Sequence, residues 1–472
     1  MTLIGFDEDI YYKSCPDSVC VFDWRYGSPK MKYVLSRSEM LKNMILVEIA
    51  LMDALVEVGL APPEAAVKIR EAAKEITPEE VAEREKKTGH EVIALIELLA
   101  EKGGEEVARW IHYGATSNDI IDTAWALTLR EALIIIESKL AKVIEALATK
   151  AEETVDIVMV GRTHGQHALP ITLGFKLANY VYELARSHER LCDAMKRAIR
   201  AKIGGAVGTM AAWGIKGLRI REIVCQHLGL EPHLITTQVA PRDGFAELAS
   251  VLAILASQLD RFATEVRELA RPEIMEMWED RTGTLGSSAM PHKANPVTAE
   301  RISGLARVAR SLVLAFYENI VLWHERDLSN SSAERVIIPH LLLTIDQMLD
   351  DTWELISRLR FSPEKMYENL MMSRGAIMAE ALMNLLIREL GMKRLEAYRI
   401  AKELAEKAAR AGKPLYEVAA EDPRIGKYFG LTRLYEELDP RRYLGPIKYL
   451  VQQAVYYADK VVETCGDEDE QP

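Results

Sequence analysis

The sequence is poor in cysteine, in aromatic residues, in Asn and Gln and in long apolar runs, and it carries no excess of basic charge. Its five cysteines, Cys15, Cys20, Cys192, Cys225 and Cys465, include no Cys-x-x-Cys pair and no zinc-type spacing, which excludes a zinc ribbon or a dense disulfide framework. Small buried or exposed thiols are the ordinary role for such residues. A Cys15–Cys20 bridge stays open if the source is a hyperthermophile, where cytosolic bridges occur. No apolar run reaches membrane-spanning length, and the opening MTLIGFDEDIYYKSCPDS lacks a basic start with an apolar core behind it. A cytoplasmic location is therefore expected. The formal charge of −12 excludes a broadly basic face for nucleic acid or anionic membrane. An anionic small substrate remains compatible, provided basic residues cluster locally. Few amide residues beside abundant Glu, Lys and Arg also fit a thermophile.

What is present is helical pattern. Hydrophobic residues make up 49% of the 472 and charged residues 28%, the range of a globular protein. That length exceeds one ordinary core and predicts two or three domains. Between Asp119 and Thr154 there is neither Gly nor Pro, which allows one helix of about 50 Å. After Phe245, the residues Leu248, Leu252, Leu255, Leu259, Phe262, Val266 and Leu269 alternate steps of four and three. That heptad seam suits lengthwise packing against near-parallel helices. Further long patterns run from about Ile171 to Ile203 and from Glu300 to about His324. Breaks such as GLAPPE, EITPEE, EDPRIGKYFG and LDPRRYLGP shorten the helices toward both ends. The expectation is an all-α protein with three helical domains: 1–115, a central long-helix bundle over 116–360, and 361–472. Helices this long leave apolar surface that oligomerisation would cover. The acidic tail GDEDEQP has the composition of a solvated, unfolded end.

Four segments depart from this background. TGTLGSSAMPHKANPVTAE (282–300) crowds Gly, Ser, Pro, Lys and Asn between two long helices. Ser287 and Ser288 offer hydroxyls, Lys293 a cation and Asn295 an amide, a set that suits a carboxylate better than it suits a plain connector. GRTHGQHALP holds His164 and His167 three apart. As metal ligands they lack an evident third partner, whereas one imidazole acting as acid or base suits neutral pH, with His167 open to a structural role. HYGATSNDIIDTA places His112, Thr116 and Ser117 just before the long helix. One hydroxyl there is a candidate N-cap, and the free amides of a helix start also attract anions. ERDLSNSSAERVIIPH sets Arg326 and Arg335 around Ser331, which suits either a salt-bridged helix start or an anion clamp. By contrast, IGGAVGTMAAWG lacks the Lys-Ser/Thr ending and the preceding strand of a phosphate-binding loop.

Taken together these segments resemble the fumarase/aspartase superfamily, whose signature SSxMPxKxNP is matched by GSSAMPHKANP at every defined position. Within it the chain is most similar to the adenylosuccinate lyase family, through DWRYGSPKM, TGHEVIALI, WIHYGATSNDIIDTA, RTHGQHALP, TQVAPRD and ERDLSNSSAER. About twenty residues ahead of Arg25 extend beyond the family pattern. The resemblance implies a C–N bond cleaved by β-elimination, with fumarate and a purine-pathway nucleotide as products. It implies no cofactor, no metal, no nucleic acid and no membrane partner. It also implies a homotetramer whose active sites are each shared by three subunits. Argininosuccinate lyase, a cycloisomerase relative, or a crystallin-like descendant without catalysis remain alternatives.

The resemblance also assigns residues. Ser287 matches the base, His164 the acid and His90 a histidine that orients it, while Lys293 and Asn295 match stabilisers of the carbanionic intermediate. Arg25, Tyr26, Arg326, Ser331 and Arg335 match contacts to the nucleotide phosphate and its neighbours. Thr116, Ser117 and Gln238 match succinyl-side contacts. Glu91, His112 and Ser288 complete the expected substrate set, and Glu300 and Arg301 match support behind the loop. An ordinary serine hydroxyl is far too weak an acid to act as alkoxide, so the site must favour its deprotonated form.

Overall fold

The computed structural model describes residues 17–282, 290 and 292–467, with no side-chain account for 465–467. Ser287, Ser288, Cys15 and the last five residues therefore lie outside the described residues.

Along the chain run α1 (Arg37–Glu57), α2 (Pro63–Ala73), α3 (Pro78–Thr88), α4 (Glu91–Trp110) and α5 (Ser117–Glu153). A hairpin of β1 (Val158–Thr163) and β2 (Gln166–Thr172) follows, then α6 (Leu173–Ala198), α7 (Lys216–Leu228) and α8 (Asp243–Leu269). After a short β3 (Met277–Glu279) come α9 (Val297–Glu318), α10 (Ser329–Ser357), β4 (Leu359–Phe361) and α11 (Pro363–Met371). The last helices are α12 (Ala379–Leu390), α13 (Arg394–Ala411), α14 (Leu415–Glu421), α15 (Leu431–Glu437) and α16 (Ile447–Asp467). The expected all-α class holds, with short two-stranded pairs as its only described β structure.

The breaks follow local chemistry. Ser36 caps α1 by accepting from Glu39 N, and Thr77 and Glu80 form a reciprocal capping box on α3. Gly89 closes α3 in the left-handed region at φ 67°, so the next residue, His90, becomes the N-cap of α4. The uninterrupted stretch after Asp119 gives α5 its 37 residues, about 55 Å at 1.5 Å per residue. One expectation changes: the pattern beginning at Ile171 starts as strand, because 166–172 pairs with 158–163 before α6 begins.

Contacts divide the chain into two compact units, one of residues 1–140, 187–257 and 304–350, the other of 141–186, 258–303 and 351–472. In the first, an apolar core joins α1, α2, α4 and α7 through Leu41, Ile45, Leu55, Ile69, Leu95, Leu99 and Ile220. In the second, Leu382, Leu386, Leu404, Val418 and Leu434 gather α12 to α15 around one core. The heptad seam of α8, from Leu248 to Leu269, is buried within the single chain. Apolar side chains left wet include Ile215 84%, Leu234 87% and Ile235 79% and, at and beyond the end of α9, Leu314 65%, Val321 73% and Trp323 77% exposed. No single described helix is long and apolar enough to cross a membrane.

The cysteines behave as individuals. Cys20 is a free thiol 3.8 Å from His340 Nε2, so the Cys15–Cys20 bridge does not form. Cys192 is disulfide-bonded. Burial pushes the Cys225 thiol up to about 12, which keeps it protonated and inert.

Candidate functional site

In the first unit, the turn between α3 and α4 and the start of α5 come together. His90 Nε2 lies 3.2 Å from Ser117 Oγ, while its buried Nδ1 has no hydrogen-bond partner. The Ser117 hydroxyl is thus directed to an imidazole and does not serve as a helix cap. The capping work falls to Asp119, which accepts from Thr116 N at 2.7 Å and from Gly204 N at 2.7 Å. Lys202, fully buried with Asp119, donates to the same carboxylate at 2.7 Å. The glycine-rich segment 203–214 therefore serves the start of α5, where its amides and one buried lysine neutralise the carboxylate. Gly114 is fixed by contact: a Cβ there would meet Trp213 Nε1 at 2.2 Å.

Arg326 donates to Asn118 Oδ1 and to Gln238 Oε1, the latter at 3.2 Å. Both acceptors are neutral amides. Among the described residues this half-buried guanidinium has no carboxylate partner, and burial lowers its basicity from the ordinary value. Arg335 is bonded only to Ser331 Oγ at 3.2 Å. The segment's salt bridge runs from Glu334 to Arg242, while Arg326 and Arg335 have no carboxylate partner among the described residues. The same field acts on His90, which burial and then Arg326 hold below the usual imidazole value, so the ring is neutral near pH 7. Glu91, the next residue, is raised by burial and then by Glu85.

Just behind lies a network with the opposite balance. Arg242 donates to Asp122 Oδ1 and Oδ2 at 2.8 and 2.9 Å and to Glu334 at 2.8 Å, with all three side chains buried. Asn118 Nδ2 bonds Asp122 and Asn330 Nδ2 bonds Glu334, so this triad also fixes the amide that receives Arg326.

The RYGSP segment is tied to α10 through its backbone: Gly27 N donates to Gln347 Oε1 at 2.9 Å and Ser28 N to Asp346 at 2.6 Å. Arg25 stays exposed, its guanidinium 5.7 Å from the Tyr26 ring centroid. His112 takes a left-handed backbone at φ 57° and places Nδ1 2.6 Å from Glu48, a buried carboxylate on α1. Composition and motif gave no role to Glu48. Its signal was a lone charge in the apolar run MILVEIALM.

The second unit holds the other set. His164 and Gly165 form the tip of the β1–β2 hairpin, with Thr163 paired to Gln166 and φ values of 54° and 72° at the two central residues. Two positive φ angles are what a tight type I′ turn requires, and they leave His164 exposed at the tip. Arg162 anchors β1 by a bidentate pair with buried Glu276 at 2.7 and 2.8 Å, which also accepts from Asn369 Nδ2. His167 is lowered by burial and by Arg162, against Glu276. Among the described residues no three His, Cys, Asp or Glu side chains group as a metal site.

Glu279 clips the two ends of the signature loop. It accepts from Arg281 at 2.9 Å before the loop and from Thr298 N and Oγ1 at 3.1 and 2.5 Å at the start of α9. A carboxylate at a helix N-terminus is favoured by the exposed amides there. Within this clip Lys293 and Glu300 are exposed and Asn295 is half-buried. Arg301 is engaged by Asp351 through two bonds of 2.6 and 2.7 Å, so it braces α9.

A family model described as "Lyase" matches residues 27–310, and one described as "Adenylosuccinate lyase C-terminus" matches residues 375–454. The chain is 44% identical to the adenylosuccinate lyase of Methanothermobacter thermautotrophicus, covering 93% of this chain and 98% of that one. It is 39% identical to that of Aquifex aeolicus, over 91% and 98% of the two chains. Among solved structures, the fumarate lyase of Mesorhizobium sp. BNC1 superposes with a TM-score of 0.84 at 30% identity, over 93% of this chain and all of that one. The 3-carboxy-cis,cis-muconate lactonizing enzyme of Pseudomonas putida does so at 0.83 and 30%, over 92% and 98%. With two family models spanning both units and identity sustained over nearly the whole length, the chain belongs to the adenylosuccinate lyase family.

Proposed function

We propose that the protein cleaves the C–N bond of adenylosuccinate, and of the succinylated aminoimidazole carboxamide ribotide, releasing fumarate and leaving AMP or the carboxamide ribotide. The observation that carries this reading is the half-buried Arg326 guanidinium, bonded only to neutral amides beside a neutral His90 and the Ser117 hydroxyl. A half-buried cation without a carboxylate partner among the described residues is suited to receive phosphate or carboxylate, which would let an acidic protein hold a polyanionic nucleotide.

In this reading Ser287 takes the proton from the succinyl carbon next to a carboxylate. The electron pair moves into that carboxylate, where Lys293 and Asn295 stabilise the added charge. The pair held on that carboxylate then returns to form the C=C bond of fumarate as the C–N bond breaks; the C–N pair leaves on nitrogen, where His164 delivers a proton, so charge balances across the step. Arg25, Tyr26, Arg326, Ser331 and Arg335 hold the phosphate end. Thr116, Ser117 and Gln238 hold the succinyl end, and His90 orients the acid, His164. Glu91, His112 and Ser288 line the substrate. Glu300 and Arg301 support the loop from α9.

We infer that the working form is a homotetramer in which each site takes segments from three chains. The wet apolar residues Leu314, Val321 and Trp323 support a subunit contact. Ser287 and His164 of one site then come from different subunits. The test is co-expression of Ser287→Ala with His164→Ala, each inactive alone, followed by a fumarate-release assay on purified tetramers. Random assembly restores about a quarter of the sites in a symmetric closed oligomer. Verified mixed tetramers with no activity would put both residues on one chain, and normal turnover by Ser287→Ala alone would remove it as the base.

A further inference from the structure

Glu48 is almost fully buried on α1, in the middle of an apolar run, with 1% of its surface exposed. A lone carboxylate in that position must find a charge partner or be protonated, because an unpaired buried ion is strongly disfavoured. One oxygen lies 2.6 Å from His112 Nδ1, and the other is buried with no hydrogen bond. His112 is thus its counter-ion. The histidine in turn adopts a left-handed backbone at φ 57°, a conformation that side-chain-bearing residues rarely take. Such strain persists only where surrounding structure demands it, and here it turns the ring toward Glu48. No described residue is hydrogen-bonded to the second ring nitrogen, Nε2.

We propose that Glu48 is a positioning residue that fixes the His112 ring in one orientation and in its doubly protonated form, so that His112 presents a charged Nε2–H to an anionic group of the substrate. This rests on the lyase reading above and deepens it by naming the charge of one contact and the residue that sets it. The titratable groups acting on His112 are Glu48 from α1 and Asp119 from α5, with His90 as a neutral neighbour before α4. Burial opposes charge on the ring, but Glu48, by proximity and by hydrogen bond, and then Asp119 outweigh it and raise the imidazole above its usual value. Two histidines of one cluster are thus shifted in opposite directions: His90 lowered by burial and then by Arg326, His112 raised against burial by Glu48 and then Asp119.

The sign for stability follows. A group whose folded value is raised contributes fully below the unfolded value of about 6.5 and loses that contribution as pH rises through the folded value. The His112–Glu48 contribution to stability is therefore lost as pH rises above about 6.5, and Glu48→Gln removes that part of the pH dependence.

The test is nitrogen-detected NMR of histidine-labelled protein without substrate, His112 being assigned from the spectrum of His112→Gln. Wild type should show an imidazolium at pH 7 that titrates above the ordinary value. Glu48→Gln, which keeps a hydrogen-bonding oxygen without charge, should show a neutral ring at pH 7. Its KM for adenylosuccinate should rise about tenfold or more with a smaller change in kcat, and Glu48→Asp should restore much of the loss. A neutral His112 in wild type, or an unchanged titration in Glu48→Gln, overturns the proposal. The wild-type measurement stands even if Glu48→Gln fails to fold. Absence of fumarate release by wild type would sink the lyase reading while leaving the charge of His112 measured independently.

Discussion

Two arginines in the first unit, Arg242 and Arg326, belong to one hydrogen-bonded network and do opposite things. Arg242 is buried between two carboxylates, Asp122 and Glu334, which together outweigh the cost of its burial and raise its basicity. Arg326 reaches the same network through Asn118 but meets only amide oxygens, and burial lowers its basicity. The first is a closed structural unit with its charge more than met. The second is an open cation, held in place by neutral groups that do not compete with an incoming anion. Supporting an arginine with amides and placing the carboxylates one layer back keeps the geometry rigid without quenching the charge.

The largest expected effect breaks the closed half. Arg242→Met leaves Asp122 and Glu334 buried and unpaired, which should destabilise the protein by about 3–5 kcal/mol in urea unfolding, or prevent folding. Asp122 shows why: burial alone would raise its carboxyl, and Arg242 is what holds it below the usual range. A loss under about 1 kcal/mol would mean the triad is not the structural member of the pair.

Next is the open half. Arg326→Ala removes a charge that no described carboxylate pairs with, so stability should fall by only about 1–3 kcal/mol, the size of two net hydrogen bonds. Substrate binding should suffer instead. Loss of a charge-assisted contact of about 1.5–3 kcal/mol corresponds to roughly a 10- to 100-fold rise in KM. Steady-state kinetics on adenylosuccinate with parallel thermal unfolding would decide it, and a wild-type KM would sink the anion assignment.

How far this arrangement was visible beforehand depended on distance along the chain. The signature at 286–296, the long α5 and the Ser-Asn-Asp start of that helix are local patterns, and they were legible as such. The hairpin that presents His164 was not, because its strands are short and its one strong signal, His-Gly between alternating residues, sat inside a motif noticed for its histidines. The supporting carboxylates were invisible for a different reason. Glu48 finds His112 64 positions away, and Asp122 finds Arg242 120 positions away, so only the fold reveals that either charge is paired. The choice between salt bridge and anion clamp at Arg326 and Arg335 had the same dependence: it turned on carboxylates being absent from contact, which no local spacing encodes.

The smallest expected effect sharpens the comparison by exposure. Arg335 lies on α10 in solvent and is bonded only to Ser331, whereas Arg326 is half-buried. An exposed cation acts on a ligand through water, so its contribution is modest and screened by salt, with a Debye length of about 8 Å at 0.15 M and about 30 Å at 0.01 M. Arg335→Ala should therefore raise KM only a few-fold at physiological ionic strength, about what a surface charge pair supplies, and more as salt is lowered. Arg326→Ala should show a larger loss that changes less with salt, because the protein itself excludes much of the screening solvent from that guanidinium. Measuring KM for both variants at about 0.01 M and about 0.15 M ionic strength separates the two behaviours. Equal, salt-independent losses would mean that Arg335 becomes buried when substrate binds, and the start of α10 would then have to close over the nucleotide.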